Sequence, residues 1–193
     1  MTWSTSAARR RRGAQPRPPS SAAAAPLQPQ YTHGFEYSDG WVDDARLVAL
    51  NARDAAEHGA KVRTRTRADM LRCEDGLWVV EASCDNGHSY RFTTRAVVNA
   101  AGPAVLDLLR RADAEPDHAM RLVRGSHIVV RRLFQHDYAY FFQLPDGRIF
   151  FAIPYERDFT LIGTTDVDHD GPASEARASA DEIAYLCEGA SLY

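Results

Sequence analysis

This 193-residue chain has few cysteines, and it lacks both long apolar runs and a glycine-rich dinucleotide-binding turn. Its three cysteines, Cys73, Cys84 and Cys187, form no CxxC pair, and their odd number argues against a disulfide framework. No run approaches the roughly 18 apolar residues that a membrane-spanning helix needs. None of the 12 glycines falls in a GxGxxG pattern, so the usual strand–turn–helix site for a dinucleotide pyrophosphate is not encoded.

Motifs for metal binding and nucleophilic catalysis are also missing. No cluster of histidine, cysteine, aspartate and glutamate has metal-ligand spacing, because His33, His58 and His88 are scattered over predicted loops and helix ends. A GxSxG element, which would place a catalytic serine, does not occur. We therefore expect no metal site and no nucleophile–base pair.

The basic residues are almost all arginine, since Lys61 is the only lysine among 23 of them. We attribute this bias to genome composition.

Hydrophobic residues make up 45% of the chain, which is enough for a packed core in one domain or a small pair. The net charge of −3 hides an asymmetry, because residues 1–35 contain five arginines and no acidic residue. The cysteine pattern fits a reducing cytosol.

Residues 1–25 differ from the rest in being rich in arginine, proline, serine and alanine without apolar periodicity. We expect this segment to be disordered, because it cannot bury enough surface to offset its ordering entropy. Three interpretations stay open: an organelle transit peptide, a nucleic-acid patch at Arg9–Arg12, and non-native coding sequence joined to a truncated gene. The third is favoured. An arginine run without aromatic or structured partners is weak evidence for nucleic-acid binding, so no nucleic-acid partner is expected.

The run RAVVNAAGP at residues 95–103 is the most informative part of the chain. It predicts a strand over Ala96–Ala100 that ends among residues without bulky side chains, and Pro103 then opens a predicted helix at Ala104–Ala112. Small residues between a strand and a helix let a flat ligand lie against the backbone, and in α/β folds that place often holds a nucleotide or flavin. An ordinary strand-to-helix turn is the other interpretation.

Before that run, the pattern predicts a strand–helix–strand unit and then an antiparallel meander. Asp43 caps a helix that runs to about His58, and small apolar residues recur along it at helical spacing, which indicates close packing on a sheet. Gly59 suits the left-handed position after the last turn. Strands are predicted at Phe35–Ser38, Lys61–Thr64, Arg67–Cys73, Leu77–Ala82 and Ser89–Thr93.

After residue 115 the composition predicts a second, antiparallel sheet. A ProAspGly turn separates two of its strands, and a helix begins at Ser179. The predicted strands are Arg121–Arg132, Ala139–Gln143, Arg148–Pro154 and Phe159–Thr164. The fold class expected from both halves is α/β, in the mixed α+β sense.

Isolated residues in the second half could carry chemistry. His127 is either a structural hydrogen-bonding residue or a group that faces a ligand, and the neighbouring Gly125 would permit close approach of that ligand. Arg124 could hold an anion, although a solvated charge at a strand end is the favoured interpretation. Asp166 could orient a basic partner or close a turn through its side chain, and the turn is the favoured interpretation.

Four further runs resemble, in fixed order, the middle of FAD-dependent, quinone-linked glycerol-3-phosphate dehydrogenase, within the D-amino-acid-oxidase-like flavoprotein superfamily. The most specific pieces are GSHIVV and IGTTDV, because related amine oxidases have other residues there. The resemblance covers residues 26–193. The runs are FEYSDGWVDDARLV at 35–48, KVRTRTRA at 61–68, LVRGSHIVV at 122–130 and IPYERDFTLIGTTDV at 153–167.

The resemblance implies FAD as the cofactor and assigns residues to it. Main-chain atoms near Arg67–Ala68 would lie close to the adenine, although a water-exposed strand face is the interpretation favoured by the alternating Thr64–Arg67 run alone. The implied cofactor-binding residues are Arg67, Ala68, Ala100, Ala101, Gly102 and Pro103. The implied substrate-side residues are Arg124, Ser126, His127 and Thr165, with His127 also a candidate for catalysis. The other catalytic residues would lie outside this segment.

The resemblance also implies a reaction and partners. The intact enzyme would oxidise sn-glycerol 3-phosphate to dihydroxyacetone phosphate in glycerol metabolism and pass the electrons to a quinone. It would be cytoplasmic, associate peripherally with the membrane and be able to form a homodimer. A mitochondrial transit peptide at residues 1–25 is the less favoured alternative for its location.

We expect the chain to be an internal fragment or a mis-started reading frame, inactive alone. Two other classes stay open, a non-catalytic product of a decayed gene and a related amine or amino-acid oxidase. The predicted domains are a disordered segment at 1–25, a partial Rossmann-like FAD-binding domain without its first βαβ turn at 26–115, an antiparallel substrate-side subdomain at 116–178, and the start of a truncated helix at 179–193.

Overall fold

A computed structural model describes residues 2–3, 15–17, 21–114 and 119–193. The chain divides into two compact units. Unit 1 combines residues 1–40 with 122–193, and unit 2 comprises residues 41–121. Most of the segment predicted to be disordered lies outside the described residues, and the predicted domain limits stay predictions. Mixed helices and antiparallel sheets are present, as the sequence indicated.

Unit 1 is built on a seven-stranded sheet in the order β2-β3-β1-β9-β10-β11-β8. All its neighbours are antiparallel except β1 and β9. A separate two-stranded ladder joins β7 to β12. The strands are β1 (Thr2–Trp3), β2 (Gln15–Arg17), β3 (Gly34–Glu36), β7 (Val123–Arg124), β8 (His127–Arg131), β9 (Tyr140–Gln143), β10 (Ile149–Tyr155), β11 (Phe159–Gly163) and β12 (Val167–Asp168).

One face of this sheet forms the core of unit 1. The helix α3 (Ala180–Ser191) contributes Leu186 to that core, and Tyr140 and Phe150 come from the sheet. Ser179 caps α3 in a capping box with Glu182, which satisfies two backbone N–H groups at the helix start. The hydroxyl of Tyr140 donates to the carbonyl of Ala23 at 2.7 Å and thereby ties residues near position 23 to the sheet.

Unit 2 contains one long helix and a three-stranded antiparallel meander in the order β4-β5-β6. The helix α1 (Asp44–Glu57) begins as predicted, with the Asp43 side chain accepting from the N–H of Arg46 at 3.0 Å. Gly59 follows it with φ +93°, the left-handed position expected of it. The meander, also predicted, consists of β4 (Thr66–Glu74), β5 (Leu77–Cys84) and β6 (Ser89–Thr94), and a short helix α2 (Val105–Arg110) follows.

Two strand predictions in unit 2 are wrong. Neither Lys61–Thr64 nor Ala96–Ala100 pairs with another strand in the described part of the chain. In the segment Ala96–Ala100, the Asn99 side chain helps to prevent strand pairing. Its amide donates to the Val105 carbonyl at 2.9 Å, and its oxygen accepts from the Ala101 N–H at 3.2 Å. Local bonds of this kind compete with a strand ladder.

Three further expectations need correction. The predicted helix over Ala104–Ala112 is shorter, since a single 3₁₀ turn at Gly102–Ala104 precedes α2. The helix α1 does not pack closely on a sheet, because none of its residues is buried. The predicted strand Arg121–Arg132 is divided into β7 and β8, since the Ser126 N–H donates to the Thr165 hydroxyl at 2.8 Å instead of to a ladder.

Candidate functional site

The sheet of unit 1 has an open face opposite the core. Ile128 and Val130 pack on the core, so the alternating residues His127, Val129 and Arg131 of β8 point the other way and are exposed. Residues directly opposite each other in neighbouring strands share a face. The register therefore gives this open face a transverse row of His127, Gly163, Phe151 and Phe141 across β8, β11, β10 and β9.

His127 lies at one end of this row, with its imidazole against the backbone of Gly163. A Cβ atom at Gly163 would stand 2.2 Å from Cδ2 and 2.6 Å from Cγ of that ring. The ring thus occupies the space that a side chain at position 163 would fill, and its other side is open. An imidazole in this position can donate or accept a hydrogen bond at the open face.

The other three predicted substrate-side residues converge on a buried carboxylate. Glu182, near the start of α3, is 5% exposed. One of its oxygens accepts from the hydroxyls of Ser126 and Thr165, each at 2.8 Å. The other accepts from Nη2 of Arg124 at 2.6 Å and from the Ser179 N–H at 3.0 Å.

The donors around Glu182 decide its charge. Burial would raise the pKa of this carboxyl, but the hydrogen bonds from Arg124, Ser179, Thr165 and Ser126 outweigh burial and hold the pKa well below its ordinary value. Glu182 is therefore an anion whose acceptor positions are occupied. Such a group holds neighbouring segments together and is poorly suited to take a proton from a ligand.

The favoured prediction for Arg124, a solvated charge at a strand end, was wrong. Its side chain is 20% exposed and pairs with Glu182, so it is neither a solvated charge nor a free anion-binding group. Glu182 itself was missed by the sequence interpretation. Its signal was the pattern Ser179-x-x-Glu182 at a helix start, which predicts a capping box but not the three additional side-chain donors. Asp166 is exposed between β11 and β12.

The predicted cofactor-binding residues all lie in unit 2, in two segments. Arg67 is exposed in β4, and its Nε donates to Asp69 at 2.8 Å. Hydrogen bonds from Ser83 and Arg67 hold the pKa of Asp69 below its ordinary value. The carbonyl of Ala68 accepts from Nη1 of Arg111 at 2.8 Å.

The second segment, residues 99–103, presents small residues to solvent. Ala100, Ala101, Gly102 and Pro103 are all exposed. Gly102 has φ +54°, and a Cβ atom there would meet nothing within 4 Å. The adjacent Val97 and Val98 are also exposed, at 36% and 87%. These features fit a large flat group lying against the backbone.

Other features of the described residues add no chemistry. An open groove of about 270 Å³ lies beside α3 and is lined by Leu144, Asp146 and Tyr185 among others, but by none of the predicted site residues. No group of three or more His, Cys, Asp and Glu side chains in the described ranges could hold a metal ion. No helix in those ranges is long and apolar enough to cross a membrane. Cys73, Cys84 and Cys187 are free thiols.

Comparison with known proteins agrees with a flavin-dependent fold. A family model described as FAD dependent oxidoreductase matches residues 2–193. The chain is 47% identical over 170 residues to D-erythritol 1-phosphate dehydrogenase of Brucella abortus, covering 87% of the chain and 34% of that protein. It is 45% identical over 166 residues to glycerol-3-phosphate dehydrogenase of Pseudomonas aeruginosa, covering 86% and 32%.

A third relative is the aerobic glycerol-3-phosphate dehydrogenase of Escherichia coli, which is 46% identical over 162 residues, covering 83% of the chain and 32% of that protein. The chain spans about a third of the length of these curated relatives.

Proposed function

Because the chain belongs to the family of FAD-dependent oxidoreductases, we propose that it supplies the middle of an enzyme that oxidises sn-glycerol 3-phosphate to dihydroxyacetone phosphate. The observation that carries this proposal is the identity of 45–46% to two glycerol-3-phosphate dehydrogenases over more than four fifths of the chain. FAD is the cofactor of the family and, when bound, would supply the oxidising power as the acceptor of a hydride from C2 of the substrate.

The residues of unit 2 fit a role in holding that cofactor. The exposed backbone at residues 99–103, with Gly102 in a positive-φ conformation and open space around it, would lie against the flavin. Arg67 and Ala68 would lie near the adenine. On this proposal unit 2 is part of a Rossmann-like FAD-binding domain whose first βαβ turn is not encoded by these residues.

The residues of unit 1 fit a role on the substrate side. When the C2 hydrogen leaves as a hydride, the hydroxyl proton must pass to a base. His127 is exposed on the open face and can hydrogen-bond that hydroxyl, whereas the carboxylate of Glu182 is buried and already has its donors. Glu182 would instead fix Ser126 and Thr165 behind the face, through its two hydrogen bonds of 2.8 Å.

The partners and location follow the same proposal. The electrons would pass to a quinone, which requires peripheral contact with a membrane from the cytoplasmic side, and the enzyme would be able to form a homodimer. No contact surface for either role is assigned to a residue of this chain.

A second candidate substrate is D-erythritol 1-phosphate. Its support is the 47% identity over 87% of the chain to a D-erythritol 1-phosphate dehydrogenase, a level comparable to that for the glycerol-3-phosphate enzymes. Both substrates are phosphorylated polyols, so the two candidates share a reaction class and differ in the length of the carbon chain.

A chimeric enzyme tests the proposal. The matching third of the E. coli relative is replaced by this chain's residues, and FAD content and dye-linked oxidation are measured with sn-glycerol 3-phosphate, D-erythritol 1-phosphate, glycerol and amino acids. We expect one FAD per chain and a kcat for sn-glycerol 3-phosphate within about tenfold of the host enzyme, about 1.4 kcal/mol in barrier.

Three other outcomes count against the proposal. A tenfold shift of kcat/KM towards D-erythritol 1-phosphate, relative to the host, would favour the second candidate. Oxidation of amino acids or amines would favour a related oxidase. A soluble but colourless chimera would favour a non-catalytic product of a decayed gene.

A further inference from the structure

Gly163 and His127 are opposite each other in the antiparallel pair of β11 and β8. Two side chains in such a pair normally stand side by side on one face. Here position 163 has no side chain, and the imidazole of His127 fills its space. A Cβ atom at Gly163 would come within 2.2 Å of Cδ2, 2.6 Å of Cγ and 2.8 Å of Nε2 of the ring.

The conformation of Gly163 does not itself require glycine. Its φ lies outside the left-handed region, so an alanine could adopt the same backbone. The residue is buried, and the three nearest atoms that a Cβ would meet from elsewhere in the chain all belong to the His127 ring. The missing side chain therefore serves the placement of that ring.

The ring leans along the transverse row on the open face. On the far side of Gly163, the register places Phe151 of β10 opposite, and Phe141 of β9 beyond it. The rings of Phe141 and Phe151 pack edge to face with centroids 5.2 Å apart. The imidazole is thus directed across β11 towards an apolar part of the face, with the backbone of Gly163 beneath it.

We propose that Gly163 is a positioning residue, whose absent side chain lets the His127 imidazole lie across β11 and meet the hydroxyl of the substrate at the open face. The catalytic half of this inference, that the imidazole meets the substrate hydroxyl, rests on the proposed function. The placement of the ring by Gly163 stands on geometry alone. The two halves therefore need separate measurements.

Nuclear magnetic resonance on the 193-residue chain tests the placement. With the His127 resonances assigned by comparison with H127A, we expect a cross-relaxation signal between the ring Hδ2 and the Hα protons of Gly163. In G163A the ring signals should shift and their contact with the residue-163 Hα proton should be lost. The matched control is G171A, because a Cβ at Gly171 would meet the His169 ring at an ordinary 3.6 Å. Absence of the contact in the parent, or its persistence in G163A, would overturn the placement.

Kinetics of the FAD-loaded chimera test the catalytic half. We expect G163A to lower kcat for sn-glycerol 3-phosphate at least tenfold with KM changed less than threefold, and G171A to leave both within twofold. If Gly163 acts through His127, the double variant H127A/G163A should be no slower than H127A, because a residue that acts only through another adds nothing once its partner is gone.

The remaining outcomes are distinguishable. If G163A lowers kcat by the same factor in the parent chimera and in the H127A variant, the proposal is overturned. It is also overturned if G163A displaces the His127 ring but leaves kcat unchanged. If G163A fails to fold, H127A/G163A should fold again because the colliding ring is removed, and failure of both would show that Gly163 serves another contact. An inactive parent chimera that binds FAD would refute the proposed function and leave the resonance measurement to decide the placement.

Discussion

Arg124 and Glu182 are joined by two hydrogen bonds, from Nη2 to Oε2 at 2.6 Å and from Nε to Oε1 at 3.4 Å. They lie 58 positions apart in the chain, in β7 and α3. Because Glu182 also accepts from Ser126 and Thr165, this pair fixes the backbone just before His127 to the helix behind the sheet. The stability of unit 1 should therefore depend on one carboxylate.

Replacing that carboxylate should destabilise unit 1. Glu182→Gln keeps the size but removes the charge and points an N–H₂ group at donors, so we expect a loss of about 3–5 kcal/mol, typical of a broken buried ion pair. Hydrogen exchange of the β8 and β11 amides in the 193-residue chain measures it. Glu188→Gln on the same helix is the control, because Glu188 is exposed. Equal protection in the two variants would contradict the prediction.

The same residue should make unit 1 acid-sensitive. The hydrogen bonds of Glu182 depress its folded pKa below its ordinary value of 4.5. The unfolded chain therefore binds the proton more readily, so the stabilisation is fully present above about pH 4.5 and is lost as the pH falls below it. Urea unfolding at several pH values should show this slope in the parent and a weaker slope in Glu182→Gln. Parallel slopes would argue against it.

The hydroxyl of Tyr140 should also contribute to unit 1. Burial raises the pKa of Tyr140 well above its ordinary value, so its hydroxyl remains a neutral donor to the carbonyl of Ala23, a residue that is 1% exposed. Tyr140→Phe leaves that carbonyl buried without its donor, which costs about 1–3 kcal/mol. Urea unfolding followed by circular dichroism measures the loss. Tyr155→Phe, at an exposed tyrosine, should cost much less, and an equal cost would contradict this role.

Gly102 should control retention of the cofactor. In the chimera, Gly102→Val puts a branched side chain where the flavin is proposed to lie, and overpacking of about 1–3 kcal/mol corresponds to roughly tenfold weaker binding per 1.4 kcal/mol. FAD released on dilution measures the effect. Gly76→Val is the control, because Gly76 also has a positive φ and open space but lies in a hairpin turn of the meander. Equal FAD loss in both variants would assign the effect to backbone strain.

Local signals predicted the elements whose contacts are near in sequence. The cap at Asp43, the left-handed Gly59 and the meander of β4 to β6 follow from turn and capping chemistry within a few residues. The strand expected at Ala96–Ala100 is absent, because a strand needs a neighbour that periodicity does not reveal and Asn99 bonds locally instead.

The candidate site was predictable in its residue types and not in its connections. GSH and GTT marked the two places that the sheet brings together, yet the partner of Arg124, Ser126 and Thr165 lies in another element. The placement of His127 depends on register between β8 and β11. Register across strands 36 residues apart is a tertiary property, since hairpin rules apply only to short connections.

Anaerobic reduction of the flavin tests the central claim most directly, because it depends on the substrate and the bound cofactor but not on any electron acceptor. The chimera carrying this chain's residues is mixed with sn-glycerol 3-phosphate without oxygen, and the visible absorbance of the oxidised flavin is followed, with glycerol as the control. We predict loss of this absorbance with sn-glycerol 3-phosphate and no change with glycerol. A chimera that retains FAD but keeps its absorbance with sn-glycerol 3-phosphate would contradict the account.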